Sequence, residues 1–210
     1  MKWQIRPASP EDLNQVAALF LESFEETIGH FFKDGPPPAA ALEDFFCFLL
    51  KEEPEAFWVA RQEEKAAKSI LGYIVVVADL PFLWRRAFLG GYVFHWAKRF
   101  LQGVYGVNIR VACRILQNKF AFWRHSRSMP QYCSQILSLA VTGNCRGKGL
   151  GRKLLENGIL YLHKRGKKNI KLEVRPWNKT ALGLYSSIGF KPAGTTRDSQ
   201  GEWLVMVKTS

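Results

Sequence analysis

The chain has 210 residues, of which 47% are hydrophobic and 23% are charged. This composition indicates a globular protein with a buried core and excludes a disordered chain. The formal net charge of +12 favours acidic partners, such as nucleic acid, anionic lipid or an acidic substrate.

The N-terminus has no apolar core typical of a secretory signal, and no stretch reaches the ~18 apolar residues of a membrane span. We therefore expect a cytoplasmic protein. The cysteines form no C-x-x-C pair and have no histidine at ligand spacing, so we expect reduced thiols and no metal site. They are Cys47, Cys113, Cys133 and Cys145.

The N-terminal part begins with a strand pattern at residues 3–6. Ser9 followed by Pro10 predicts the start of a helix, because serine caps a helix and proline suits its first position. After a Gly-Pro-rich break at 35–38, residues 40–50 predict a second helix. Its aromatic residues, which either pack in the core or line a substrate pocket, are Phe45, Phe46 and Phe48.

Two strands are predicted next, at residues 56–62 and 69–78. The second is rich in β-branched residues, which is typical of a buried strand. A polar stretch at 63–68 separates the two, so we expect them to pair antiparallel across a turn.

Residues 82–130 combine many aromatic and basic side chains, and no Asp or Glu occurs from Leu80 to Leu155. Glycines near residues 90 and 105 divide the segment into about three helical pieces. Two interpretations remain open: a helical lid whose aromatics pack on the sheet, and an element that contacts an anionic membrane. A nucleic-acid surface is disfavoured, because no RNA-recognition motif or zinc finger is present.

The stretch 135–164 joins a strand, a glycine-rich loop and a helix. Residues 136–141 predict a buried strand, and apolar residues at three- and four-residue spacing from Leu150 onward predict an amphipathic helix. The N-terminus of a helix suits an anion, because its first N–H groups have no internal partner and its dipole is positive there.

The loop itself favours the same kind of ligand. Glycines let a phosphate approach the backbone and make positive φ angles accessible, and basic side chains add charge. The glycines are Gly147, Gly149 and Gly151, and the basic residues are Arg146, Lys148 and Arg152. The spacing matches neither the nucleotide P-loop nor the dinucleotide-binding fingerprint.

Two candidate acid–base residues follow this stretch. Glu173 lies in the predicted strand 169–175 between apolar neighbours, where it is either a general base or a glutamate on the sheet surface. Tyr185 lies in the predicted helix 179–188, where it either donates a proton to a leaving group or packs in the core. We expect Arg175 and Trp177, which flank the turn between them, at the surface.

These motifs resemble the GNAT superfamily of acyl-CoA-dependent N-acyltransferases. The loop reproduces that family's Arg-x-x-Gly-x-Gly pattern from Arg146 to Gly151. Residues 178–190 reproduce its N-x-x-A-x-x-L-Y-x-x-x-G-F segment, and together with LEVR at 172–175 they are most similar to the branch that acetylates the N-terminal alanine of ribosomal proteins. The resemblance is strong from 136 to 190, loose from 3 to 78 and absent over 82–130.

The resemblance implies acetyl-CoA as co-substrate and assigns roles to these residues. It implies that Glu173 is the general base and Tyr185 the general acid. It also implies a bulged fourth strand that splays from the fifth to make the cofactor slot. The implied cofactor contacts are Leu139, Ala140 and Val141 through their backbone, the loop and helix start at Arg146, Gly147, Lys148, Gly149, Leu150, Gly151 and Arg152, and Asn178.

We therefore expect one α/β (α+β) domain over residues 1–210. Its mixed, mostly antiparallel sheet should have six to seven strands, with a parallel fourth and fifth pair joined by the helix 150–165. Flanking helices and the helical insertion 82–130 complete it.

The expected function is transfer of an acetyl group from acetyl-CoA to a primary amine by direct attack in a ternary complex. The alternatives are a protein N-terminal or lysine acetyltransferase and a catalytically silent acyl-CoA-binding module. The acceptor is a small molecule or a protein, acidic ones included, and peripheral contact with an anionic membrane through 82–130 remains open. The oligomeric state has no signal in the sequence.

Overall fold

A seven-stranded, mostly antiparallel sheet forms the centre of the computed structural model, which describes residues 3–32, 39–62, 69–113, 117 and 132–209. The strands lie in the order β1-β2-β3-β4-β5-β7-β6, and only β4 and β5 run parallel. Their bounds are β1 Trp3–Pro7, β2 Phe57–Gln62, β3 Ile70–Val77, β4 Ser134–Val141, β5 Asn169–Val174, β6 Lys191–Asp198 and β7 Gly201–Thr209. The expected α/β fold and its parallel fourth and fifth pair are confirmed.

Helices cover both faces of the sheet. Those in the described residues are α1 Leu13–Ser23, α2 Glu25–Phe31, α3 Ala39–Glu52, α4 Leu80–Leu89, α5 Tyr92–Leu101, α6 Leu150–Lys164 and α7 Lys179–Ser187. Residues 109–113 are helical as well. The predicted connection of β4 to β5 by a helix is therefore correct, and α6 provides it.

Two apolar cores lie on opposite faces of the sheet. On one face α6 packs on the central strands through Leu150, Leu154 and Leu155, all of them fully buried. Gly158 lets α6 come close to β3, because a Cβ at this position would lie 2.7 Å from Val76 Cγ1. The position of α6 over the sheet determines where its N-terminus, and with it the glycine-rich loop, lies.

The opposite core joins α1, α3 and α4 to β3 and β2. Phe46 and Phe48 of α3 are buried in it, and the ring of Phe46 lies 5.9 Å from that of Tyr73. For these two phenylalanines the structure therefore favours core packing over a pocket wall. The third, Phe45, is half-buried against the same core.

The start of the first helix follows the prediction in part. Ser9 and Pro10 begin a 3-10 turn, Pro10–Asp12, which continues into α1. The turn is tied to the sheet by Asp12, which is fully buried and pairs with Arg6 of β1 at 2.8 Å and with Arg61 of β2. A buried carboxylate needs such partners, because losing its hydration is otherwise very costly.

The insertion packs on α3. Because β3 and β4 are antiparallel neighbours, a short turn would suffice to join them, so residues 78–133 are not required to close the sheet. Leu83 and Ala87 of α4 are buried in the core beside α3. The rings of Tyr92 and Trp96 of α5 lie 4.7 Å and 5.4 Å from the ring of Phe48.

Charge also holds the insertion to α3. Arg86 of α4 pairs with Glu52, and Arg99 of α5 pairs with Asp44 at 2.7 Å. These contacts place α4 and α5 beside α3 and use part of the basic charge of the insertion.

Some predicted features lie outside the described residues: the break at 35–38, the polar turn at 63–68, and residues 114–116 and 118–130 of the insertion. None of the helices in the described residues has the length and apolarity to cross a membrane.

Candidate active site

The strands β4 and β5 are paired at one end and separate at the other. Parallel pairing joins Ser134 to Ile170 and Gln135 to Lys171, whereas β4 continues to Val141 and stays paired with β3. Within the described chain, the edge of β4 that faces β5 therefore has no strand partner beyond Gln135. Backbone N–H and C=O groups on such an edge are available to an extended ligand.

A register shift in β4 helps to open this slot. Val75 pairs with Ser138 and Val76 with Ile136, so Leu137 is an extra residue in β4. A bulge of this kind bends a strand and increases its twist. The bulge lies just before the residues that are predicted to contact the cofactor through their backbone, which are Leu139, Ala140 and Val141.

The glycine-rich loop lies where β4 ends and α6 begins. Gly147 and Gly149 have φ angles of 71° and 83°, which glycine adopts readily and other residues rarely do. A Cβ at either position would meet no atom within 4 Å, so the backbone here borders open space. The loop therefore leaves room for an anion beside the N-terminus of α6.

Gly151 differs from the other two glycines. It lies in the first turn of α6, and its φ angle is not positive, so Gly151 does not use the conformational freedom that glycine makes accessible. A Cβ there would make ordinary contacts, at 3.6 Å, with Leu184 and Val141. Its position reflects the packing of α6 against α7 and β4 rather than an unusual backbone conformation.

The side chains of the loop and of the first turn of α6 differ in their exposure and contacts. Lys148 is exposed, and Arg146 donates from Nε to the carbonyl oxygen of Val141 at 3.1 Å. Leu150 is buried, so only its backbone can face a ligand. Arg152 pairs with Glu156 at 3.0 Å on the exposed face of α6.

Glu173 and Lys171 share one face of β5. The alternate residues Ile170, Leu172 and Val174 point into the core under α6, so Lys171 and Glu173 point to the other face. Glu173 is 12% exposed, and its Oε1 lies 3.5 Å from Nζ of Lys171, which is 1% exposed. Of the two alternatives for Glu173, a mostly buried residue beside the slot agrees better with the structure than an exposed one.

Tyr185 approaches β5 from the opposite side. It packs from α7 against the core under α6, with its ring 6.0 Å from that of Phe190. Burial raises the pKa of Tyr185 to about 12, because desolvation disfavours the phenolate. Asn178 caps α7, since its Oδ1 accepts a hydrogen bond of 3.0 Å from the backbone N–H of Ala181.

Arg175 is not at the surface, contrary to the expectation. It is 8% exposed, its guanidinium lies 3.7 Å from the centroid of the Trp203 ring, and its Nη1 donates to the carbonyl oxygen of Gln200 at 3.2 Å. The prediction failed because Trp203 and Gln200 lie in and beside β7, far along the chain. Trp177, by contrast, is 53% exposed, as expected.

Residues 13–190 match the family model described as the GNAT family of acetyltransferases. This range includes the slot, the loop, Glu173 and Tyr185. The chain belongs to the GNAT acetyltransferase family. The resemblance stated from the loop and from residues 178–190 is thereby confirmed.

Two curated relatives of the chain carry the same name. The ribosomal protein bS18-alanine N-acetyltransferase of Escherichia coli K12 is 43% identical over 63 residues, which are 30% of this chain and 43% of the relative. The enzyme of the same name from Salmonella typhimurium is 30% identical over 131 residues, 60% of this chain and 83% of the relative. The chain thus spans less than half the length of the first curated relatives that it matches.

Solved structures show the same GNAT fold at low identity. A crystal structure of agmatine N-acetyltransferase superposes with a TM-score of 0.66 and 17% identity, covering 100% of both chains.

Two buried polar residues on the Glu173 side of the sheet were not predicted from the sequence. Lys171 lies beside Glu173, and Gln135, its pairing partner on β4, is also buried. The available signal was a lysine two positions before Glu173, which places both side chains on one face of a strand.

Proposed function

We propose that this chain transfers an acetyl group from acetyl-CoA to a primary amine by direct attack in a ternary complex. The observation that carries the proposal is the slot between β4 and β5, which has the glycine-rich loop at its end, Glu173 on one face and Tyr185 on the other. One residue can then act on the acceptor amine and the other on the leaving thiolate, from opposite sides of the thioester.

In this proposal Glu173 and Tyr185 divide the proton transfers. The Glu173 carboxylate accepts a proton from the acceptor ammonium and so frees the lone pair for attack on the carbonyl carbon. Tyr185 donates its proton to the departing sulfur. The role rests on the position of Tyr185 rather than on its pKa, since a phenol is protonated at neutral pH even at the ordinary tyrosine pKa of about 10.

The residues present fit coenzyme A. The open space beside Gly147 and Gly149, together with exposed Lys148, suits the pyrophosphate. The free edge of β4 offers Leu139, Ala140 and Val141 to the amides of the pantetheine arm, and Asn178 lies at the N-terminus of α7 as a further contact. When bound, acetyl-CoA supplies the thioester that is attacked.

Thiol release from acetyl-CoA, measured with a panel of amines, tests the activity. We expect turnover with at least one amine, and a Glu173→Gln loss of about 100-fold or more in kcat, in the range of general-base effects. Glu11→Gln is the matched control, because Glu11 is an exposed glutamate in the first 3-10 turn. A chain that binds coenzyme A but turns over no amine would be a silent acyl-CoA-binding module.

The acceptor class is a second question. Relatives named for the N-terminal alanine of a ribosomal protein support a protein N-terminus, whereas the fold shared with agmatine N-acetyltransferase leaves a small amine open. We place a protein N-terminus first, because the two sequence relatives carry more weight than a fold at 17% identity. The kcat/KM values of three acceptors separate the alternatives. They are a peptide that begins with Ala, the same peptide with a blocked N-terminus and one lysine, and agmatine. An acidic variant of the peptide tests whether the basic chain prefers acidic acceptors.

We also propose peripheral contact with anionic membranes through α4 and α5. The exposed apolar residues of this insertion include Phe88 at 73%, Phe94 at 78% and Leu101 at 83% exposure. Arg85 and Lys98 are exposed on the same two helices, and the stretch from Leu80 to Leu155 lacks acidic residues. Apolar side chains beside unneutralised positive charge suit the surface of an anionic bilayer.

Flotation with phosphatidylcholine vesicles, with and without phosphatidylserine, tests this contact in the full chain. We expect binding only to the anionic vesicles and loss of binding at high salt. Leu101→Ser should weaken it, whereas Leu160→Ser, at an exposed leucine of α6, should not. If the protein stays with the soluble fraction on anionic vesicles at low salt, the membrane proposal is wrong.

A further inference from the structure

Lys171 occupies an unusual position for a lysine. It is 1% exposed in β5, with Gln135 of β4 beside it on one side and Val207 of β7 on the other. Its Nζ lies 3.5 Å from Oε1 of Glu173, two residues further along the same face. The pair thus lies where β4 and β5 begin to separate.

Stability alone does not account for this pair. Lysine is almost never fully buried unless it is paired, and a buried ion pair is often no more stabilising than well-packed apolar residues of similar volume. The opposite face of the same strand uses Ile170 and Leu172. A residue of that kind would also fill the position of Lys171, so the charge has another use.

We infer that Lys171 is a positioning residue for the acetyl transfer, and that its ammonium group keeps the Glu173 carboxylate ionised and oriented toward the acceptor amine. The inference rests on the proposed role of Glu173 as general base. An opposite charge within about 4 Å favours the ionised form of a carboxylate, and the ion pair restricts the rotamers of both side chains. Glu173 is then ready to accept a proton before the acceptor arrives.

Other charged groups act on the same side of the sheet. Burial lowers the pKa of Lys171 by desolvation, while the charge of Glu173 opposes this effect. Further along β5, burial lowers the pKa of Arg175, and Asp198 of β6 and Glu26 of α2 oppose it. Among the described residues, Lys171 is the cation whose side chain forms an ion pair with Glu173, at 3.5 Å.

The pH profile of Lys171→Met tests the inference. Methionine fills a similar volume without the charge, so the pKa that controls the acid limb of kcat/KM should move up by about one unit or more. The assay uses acetyl-CoA with the fastest amine of the panel. Lys171→Arg, which keeps the charge, should retain an acid limb near that of the wild type, and the Kd of coenzyme A should be unchanged in both variants.

A stability measurement tests the same coupling without turnover. In Lys171→Met the folded state should hold the Glu173 proton more tightly than the unfolded state does. The resistance of this variant to urea should then fall as the pH rises from about 4 to about 7. The double variant Lys171→Met/Glu173→Gln should lose that pH dependence, and it should fold even if Lys171→Met alone does not.

The outcomes separate the inference from the proposed function. An acid limb and a urea-resistance profile that do not move in Lys171→Met would overturn the inference, whatever Glu173→Gln does. Loss of turnover at every pH in Lys171→Met, with coenzyme A still bound, would also overturn it and place Lys171 in the chemistry. Full activity of Glu173→Gln would instead refute the base role in the proposed function.

Discussion

At the scale of one residue, Tyr185 and Tyr161 have similar pKa values but different positions in the fold. Tyr185 lies in α7 with the ring of Phe190 beside it, and burial raises its pKa to about 12. A phenol is protonated at neutral pH even at its ordinary pKa of about 10, so the shift by itself does not mark Tyr185 as the donor to a leaving thiolate. Burial also raises the pKa of Tyr161 in α6 to about 12. The hydroxyl of Tyr161, however, donates a hydrogen bond of 3.3 Å to the carboxylate of Glu53, near the other end of the helix.

This contrast predicts the effect of removing each hydroxyl. Tyr185→Phe should lower kcat by about 100-fold, within the usual range for general acids, and change the Kd of coenzyme A little. Tyr161→Phe should leave kcat near the wild-type value. Steady-state kinetics and calorimetry measure both quantities, and a fully active Tyr185→Phe would remove Tyr185 as the acid.

Asp12 has a structural role with a clear dependence on pH. Desolvation by itself would raise the pKa of Asp12, but hydrogen bonds from Arg6, from the backbone N–H of Ser9 and from Arg61 hold it below its ordinary value. Its stabilisation is therefore fully present above the unfolded-state pKa of about 3.9 and is lost as the pH falls through the lower folded-state value.

We expect Asp12→Asn to reduce the free energy of unfolding by about 3 kcal/mol at pH 7. The change removes the buried carboxylate and leaves Arg6 and Arg61 without their charged partner. The difference from the wild type should shrink as the pH approaches about 2. Urea unfolding at the two pH values measures it. A difference that is the same at both would mean that the ionised carboxylate is not what stabilises the turn.

At the scale of elements, the junction of β4, the loop and α6 forms the proposed anion site. The register shift opens one edge of β4, and Gly147 and Gly149 turn the chain so that α6 starts beside that edge. Packing of Leu150 and of Gly158 against the sheet holds α6 in place. The site therefore depends on two long elements meeting at a fixed position.

Gly149→Glu should abolish detectable binding of coenzyme A, with at least about a 100-fold rise in Kd, because it adds a side chain and a negative charge to the loop and strains a positive φ. Gly166→Glu is the matched control. Gly166 also has a positive φ, of 73°, and open space around it, but it follows the C-terminus of α6. Calorimetry with coenzyme A compares the two, and equal affinities would refute the assignment of the loop.

At the scale of the whole molecule, we propose that residues 1–210 form one domain with the insertion 82–130 as part of it. Leu83 and Ala87 of α4 lie in the same core as α1 and α3. Arg86 and Arg99 add ion pairs to α3. The insertion therefore shares apolar and charged contacts with the rest of the fold.

One cooperative unfolding transition is the expected consequence. Circular dichroism at increasing urea follows all helices, while tryptophan fluorescence reports in part on Trp84 and Trp96, which pack against the core beside α3. The two signals should have the same midpoint. Separate midpoints would mean that the insertion unfolds independently of the sheet.

Much of the fold and part of the candidate site were predictable from the chain. The strands, the helix after the loop and the loop itself follow from hydrophobic period and glycine spacing, which act between near neighbours. Arg175 was predicted wrongly at the surface. That error reflects its contacts with residues in and beside β7, far along the chain.

The sequence by itself determined the order of the elements, the position of the glycine-rich loop before α6 and the identity of the acid–base candidates, because these depend on residues within a few positions of one another. Only the tertiary structure decided where β4 and β5 separate, which is beyond Gln135, that Glu173 and Tyr185 approach from opposite faces, and that Lys171 is buried beside Glu173. These features depend on how strands far apart in the chain pair, and pairing is set by packing across the whole sheet.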